Sequence, residues 1–92
     1  MIAPNFVHLN ANGTTLVLGT SLRMGLVVIN TKGATGNTLT LHNATTADAS
    51  KIIAVIDTTT ALGTLEYGGL ALNALTAVLA TGTAADVTIS WG

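Results

Sequence analysis

The chain has 92 residues, enough for one domain and too few for two of ordinary size. Three basic and four acidic side chains give a net charge of −1, and Arg23, Lys32 and Lys51 are too few to neutralise a run of phosphates, which argues against nucleic acid as a partner. The absence of cysteine excludes disulfides and thiolate metal sites.

The N-terminal residues 1–5 hold the only proline, Pro4, which biases Ala3 to an extended backbone. This stretch reads either as an arm reaching onto a neighbouring subunit or as a frayed end. It has no basic segment followed by an apolar core, so no signal peptide is expected. Residues 6–10 and 14–19 alternate polar and apolar side chains around Asn12-Gly13. Asn-Gly suits the positive φ angles of a type I′ turn, and the pattern predicts a β-hairpin.

Residues 22–30 form the next predicted strand. Leu22, Met24, Leu26 and Val28 take one face, and Arg23, Gly25, Val27 and Ile29 the other. Residues 31–36 (TKGATG) read as a loop on their glycines. Residues 37–57, NTLTLHNATTADASKIIAVID, organise the rest of the chain. Thr38, Thr40 and His42 alternate with Leu39 and Leu41, a polar loop covers 43–50, and 51–57 is an almost wholly apolar strand. Asn43-Ala44-Thr45 matches a glycosylation acceptor and reads as a chance match.

Residues 64–67 predict a short strand closed by Gly68-Gly69. Residues 69–80 (GLALNALTAVLA) fit helical and alternating patterns alike. The surrounding strands favour a connection and then a strand over 75–80. The uncharged stretch 67–85 carries too many Gly, Asn and Thr residues for a membrane span. Residues 86–91 close the chain, with Val87, Ile89 and Trp91 inward and Thr88 and Ser90 outward. About eight short strands joined by Gly, Asn and Thr turns predict an all-β protein, an antiparallel β-sandwich of jelly-roll-like form. No internal repeat stands out.

No reaction is legible. Neither His8 nor His42 stands in a nucleophile motif, and G-x-S-x-G is absent. Asp48, Asp57, Glu66 and Asp86 are scattered without calcium-loop spacing, and Asp57 and Asp86 read as holding turn amides. The expectation is a protein without enzymatic activity and without cofactor or metal. Charged residues are 8% of the chain against a usual ~25%, apolar residues 49%, and mean hydropathy is +0.63. A surface of Thr, Asn, Ser, Ala and Gly desolvates cheaply, which implies extensive contact with other subunits.

Three stretches carry a resemblance: GLVVINTKGATGNTLTLHNATTADASKIIAVID at 25–57, GTLEYG at 63–68 and LTAVLATGTAADVTISW at 75–91. Together they resemble small all-β virion proteins of tailed bacteriophages, the decoration or cement proteins of the capsid. In similar sequences an Asn-Thr turn, here Asn30-Thr31, precedes a Thr-Leu-Thr-Leu strand, here 38–41. Such chains finish with Gly-Thr-Ala-Ala-Asp-Val-Thr, here 82–88. The resemblance implies a structural protein on the capsid exterior, assembled in the host cytoplasm, whose partner is the major capsid protein. It brings no catalytic residues and no membrane or nucleic-acid partner. A receptor- or glycan-binding module of a tail or fibre is the alternative.

Leu39, Leu41, Ile52, Ile56, Val87, Ile89 and Trp91 are the expected core. Ile52, Ala54 and Ile56 then face inward, which leaves Ile53 and Val55 on the opposite face of the same strand. Two β-branched apolar residues there predict a subunit contact, most simply in a homo-oligomer such as a trimer. The expected subunit or capsid interface is Ile53, Val55, Pro4 and Phe6. A loop or the N-terminal arm folding over that face within one chain is the competing arrangement.

Overall fold

Period-two patterning broken by Gly, Asn and Thr turns yields strands along nearly the whole chain. The computed structural model describes residues 5–60 and 63–92. Its strands are β1 (Asn5–Leu9), β2 (Gly13–Leu18), β3 (Leu22–Thr31), β4 (Thr38–His42), β5 (Ile52–Asp57), β6 (Gly63–Leu72), β7 (Leu75–Ala80) and β8 (Asp86–Trp91). A 3-10 turn at Ala49–Lys51 is the one helical element among the described residues, and the Asp48 carboxylate caps it by accepting from the Ser50 amide.

The strands form two four-stranded antiparallel sheets, in the orders β1-β8-β3-β6 and β2-β7-β4-β5. β1 pairs with β8, β2 with β7, β3 with β6 and β4 with β5. The first half of the chain thus pairs with the second in reverse order, as one long double strand rolled into two layers. That is jelly-roll connectivity, as the patterning predicts. Met24, Val27 and Ile29 of β3 and Val87 and Ile89 of β8 pack from one sheet. Leu39 and Leu41 of β4 and Leu75, Ala77 and Leu79 of β7 pack from the other. Each such side chain withdrawn from water contributes ~1.5–3 kcal/mol to holding the layers together.

Several expectations are corrected. The Asn12-Gly13 turn joins no hairpin: β1 and β2 lie in different sheets, and Asn12 does not take the positive φ a type I′ turn needs. Both strands carry an apolar stripe, Val7 and Leu9 on one and Val17 and Leu18 on the other, that packs on the shared core. The chain therefore crosses from layer to layer instead of folding back. Gly68-Gly69 does not end a strand. Both glycines take positive φ, 57° and 81°, and their extra length loops out within β6, which continues to Leu72. Asn30-Thr31 is no turn either, because both residues belong to β3.

β-bulges also redistribute the faces. Met24 and Val27 of β3 pair with Trp91 and Ile89 of β8, three residues against two. The extra residue at Gly25-Leu26 turns Val27 and Ile29 inward and Leu26 and Val28 outward, where strict alternation predicts otherwise. The Leu26 amide at this bulge donates to the Ser90 hydroxyl at 2.9 Å. In β5, Leu41 and His42 of β4 sit opposite Ala54 and Ile52, which leaves Ile53 as the extra residue. Ile53, Ala54 and Ile56 pack on the core, while Ile52 is 45% exposed. Ile52 therefore leaves the expected core and Ile53 joins its margin. Trp91 is half-buried against the core.

A buried polar knot closes one end of the sandwich. The Asn37 side-chain amide reaches the Asn12 side-chain oxygen and the Ala80 and Thr81 carbonyls, at 2.9, 3.2 and 3.0 Å. Its oxygen accepts from the Thr58 hydroxyl at 2.6 Å and the Ala85 amide at 3.1 Å. One side chain thus ties four connections together. It leaves no buried polar group orphaned among the described residues.

Candidate interaction surface

The four expected interface residues do not form one patch. Phe6 is 70% exposed on the outer face of the β1-β8-β3-β6 sheet, where it pairs with Ser90. Val55 is 61% exposed on the outer face of the other sheet, at its edge. Ile53 does not share that face, for the bulge turns it to the core margin. Pro4 lies outside the described residues. Leu16, Leu65 and Leu70, which the sequence reading did not single out, are also exposed. Leu16 lies on the outer face of β2, opposite Thr76. Leu65 pairs with the inward-facing Val27 and is exposed because β6 is an edge strand.

One row of partners, a groove and a polar cluster organise the outer face of the first sheet. His8, Thr88, Val28 and Thr64 line up across all four strands. Beside them, a shallow groove of about 420 Å³ is lined by Gly25, Leu26, Glu66, Gly68 and Ser90 among others. On the other side Asp86 accepts from His8 Nε2 at 2.5 Å and from the Asn30 amide at 3.1 Å, and Asn30 also donates to the Thr88 hydroxyl. The hydrogen bond from His8, then that from Asn30, holds the Asp86 carboxyl below the usual carboxylate range. Nothing local announces this cluster, because His8 and Asp86 are 78 residues apart in the chain.

The second feature is a slot of about 490 Å³ where the two layers part between the edge strands β5 and β6. Ile29, Ala54, Ile56, Leu65 and Tyr67 give it apolar walls, and Val55 and Asp57 stand at its β5 lip. Burial raises the Tyr67 phenol above its ordinary value. Asp57 accepts from the Thr59 hydroxyl at 2.6 Å and the Thr59 amide at 2.9 Å, which lowers its carboxyl, so it anchors the turn after β5 as expected. Asp48 is lowered in the same way by the Ser50 hydroxyl and amide.

The polar groups nearest to a chemical arrangement are already engaged. His8 is held by Asp86, and the Ser90 hydroxyl by the Leu26 backbone. His42 is buried with Nδ1 against the Asp48 carbonyl. The Asn43 side chain accepts from the Asn73 amide, so it is spent on the turn between β6 and β7. Among the described residues, no three His, Asp or Glu side chains gather closely enough to hold a metal ion. No helix of the described residues is long and apolar enough to cross a membrane. What the surface offers is contact: apolar side chains on both outer faces and at the β5–β6 edge, with few charges between them. No protein-family model, curated protein or solved structure matches the chain.

Proposed function

We propose that this is a non-enzymatic structural virion protein that binds the outside of a tailed-bacteriophage capsid shell and stabilises it. The observation that carries the reading is the exposure of Phe6, Leu16, Ile52, Val55, Leu65 and Leu70 on a domain with only seven charged side chains. Such a surface repels partners weakly and desolvates at little cost. The partners in this reading are the major capsid protein and further copies of the chain. On a shell lattice, contacts that are weak one by one add through multivalency. The double-layered jelly roll is a frame that viral shell proteins use, although a fold alone assigns no function.

The test is binding of the purified protein to undecorated shells, followed by thermal or osmotic challenge. Saturable binding with a raised disruption temperature supports cementing; no binding, or binding without added stability, sinks it. Phe6 beside the groove at Ser90, Leu26 and Glu66 favours one second reading, a glycan-binding module of a tail or fibre, since an exposed ring next to polar groups stacks sugars. Labelling of tail tips instead of shells in negative-stain images identifies that alternative.

A further inference from the structure

We infer that two copies of this chain join through the free edge of β5, in an antiparallel two-fold pairing centred on Val55. The inference deepens the self-association in the reading above and does not depend on shell binding.

Among the described residues each sheet has two edge strands, and an exposed edge presents backbone donors and acceptors to any other strand. The four edges differ in what they offer a partner strand. β6 is broken by the left-handed Gly68-Gly69 loop and presents Glu66. β2 has one bulge, at Val17, as β5 has one, but no charge at either end to orient a partner. β1 carries His8, engaged with Asp86. β5 is different. From Ile52 to Ile56 it has no charge and no proline, and its single bulge lies at the N-terminal end.

The charges flanking β5 specify the occupant. Lys51 stands immediately before the strand and Asp57 ends it, both exposed. Six residues of extended chain hold them ~20 Å apart, too far to meet within one molecule. A second copy running antiparallel reverses the order, so each Lys51 approaches the other copy's Asp57; a parallel copy would set like charges together.

The bulge selects the register. Centring on Val55 sets Val55 against its own copy on the outer face and Ala54 against Ile56 on the inner face, so these three central positions match, with the bulged Ile53 opposite Asp57 beyond them. Centring on Ala54 would set the outward Val55 against the inward Ile53. In the Val55 register Lys51 lies diagonal to the other copy's Asp57, ~7–8 Å away and within reach of a long side chain. The Ala54 and Ile56 side chains that line the slot then abut, so the two slots become continuous. The trimer expectation rested on Ile53 and Val55 sharing one face; with Val55 alone outside, a dyad suffices.

The chain has no cysteine, so a single Cys reports on the contact cleanly. Val55 is paired with itself at a Cα separation of ~4.5–5.5 Å, which a disulfide spans. Val55→Cys should oxidise to a covalent dimer on the order of ten-fold faster than Leu16→Cys at equal concentration, since the contact raises the effective thiol concentration. By sedimentation the wild type should be a dimer. Val55→Lys should be a monomer with an unchanged circular dichroism spectrum, and Leu16→Lys should remain dimeric. A monomeric wild type at high concentration, a dimeric Val55→Lys, or equal cross-linking at both positions overturns the inference. Should Val55→Lys fail to fold, the cysteine comparison decides. Shell binding by a monomeric wild type would overturn this contact and leave the cement reading intact.

Discussion

The Thr58 hydroxyl donates to the Asn37 side-chain oxygen at 2.6 Å, and neither residue exposes any surface. That bond joins the turn after β5 to the start of β4, and the Thr58 amide adds a second link to the Asn37 carbonyl at 3.2 Å. Thr58→Val keeps the shape and removes the donor, so it should cost ~1–3 kcal/mol in urea unfolding. Asn37→Ala abandons the Ala85 amide and the Thr58 hydroxyl together and should cost more, about 3–5 kcal/mol. Equal, small losses for both variants would show that the knot does not hold the loops.

Gly33 lies against the same knot. A methyl group on its Cα would sit 2.5 Å from the Thr58 hydroxyl and 2.6 Å from the Asn37 side-chain oxygen, both fixed by hydrogen bonds. Gly33→Ala should therefore destabilise by about 1–3 kcal/mol despite lowering the entropy of the unfolded chain. A stabilised Gly33→Ala in the same unfolding experiment would mean that the knot yields freely.

The bulge in β5 makes an ordering that strict alternation would reverse. Ile53→Asp places an unpaired carboxylate against the core margin and should unfold the protein or lower its melting temperature steeply. Ile52→Asp, at a position 45% exposed, should leave the protein folded by circular dichroism. Ile56→Ala should cost roughly 2–3 kcal/mol and Ile52→Ala less than about 0.5 kcal/mol. Were Ile52→Asp the damaging substitution, the bulge would be misplaced.

Asp48, Asp57 and Asp86 all have carboxyls lowered by hydrogen bonds they accept when folded. A depressed folded pKa contributes stability that is present above the ordinary value of 3.8 and lost as pH falls below it through the folded values. The melting temperature should thus be level near neutrality and decline on acidification below that point. Asp57→Asn should shallow the decline, while also lowering the neutral value by loosening the Thr59 turn. An acid limb unchanged in Asp57→Asn would remove that residue from the account.

Much of the fold is local and therefore legible in order along the chain. The strands over Leu39 and Leu41 and over Val87 and Ile89 announce themselves because a pleated strand with one covered face must alternate, whereas Leu75–Ala80 fits a helical spacing as well and is legible only from the strands around it. The low charge is likewise read directly from the residues. Partner choice was decided only in three dimensions. β1 faces β8 and not its neighbour β2, because pairing follows which apolar stripes close the shared core, and Asn12-Gly13 serves a crossing as well as a hairpin. Ile53 was expected on the wrong face for a related reason. One extra residue at Ile53, and another at Gly25-Leu26, inverts every side chain beyond it, and a bulge is defined by the strand opposite. Ile52 and Ile53 are chemically identical and adjacent; only the count of residues across β4 and β5 decides which one meets water.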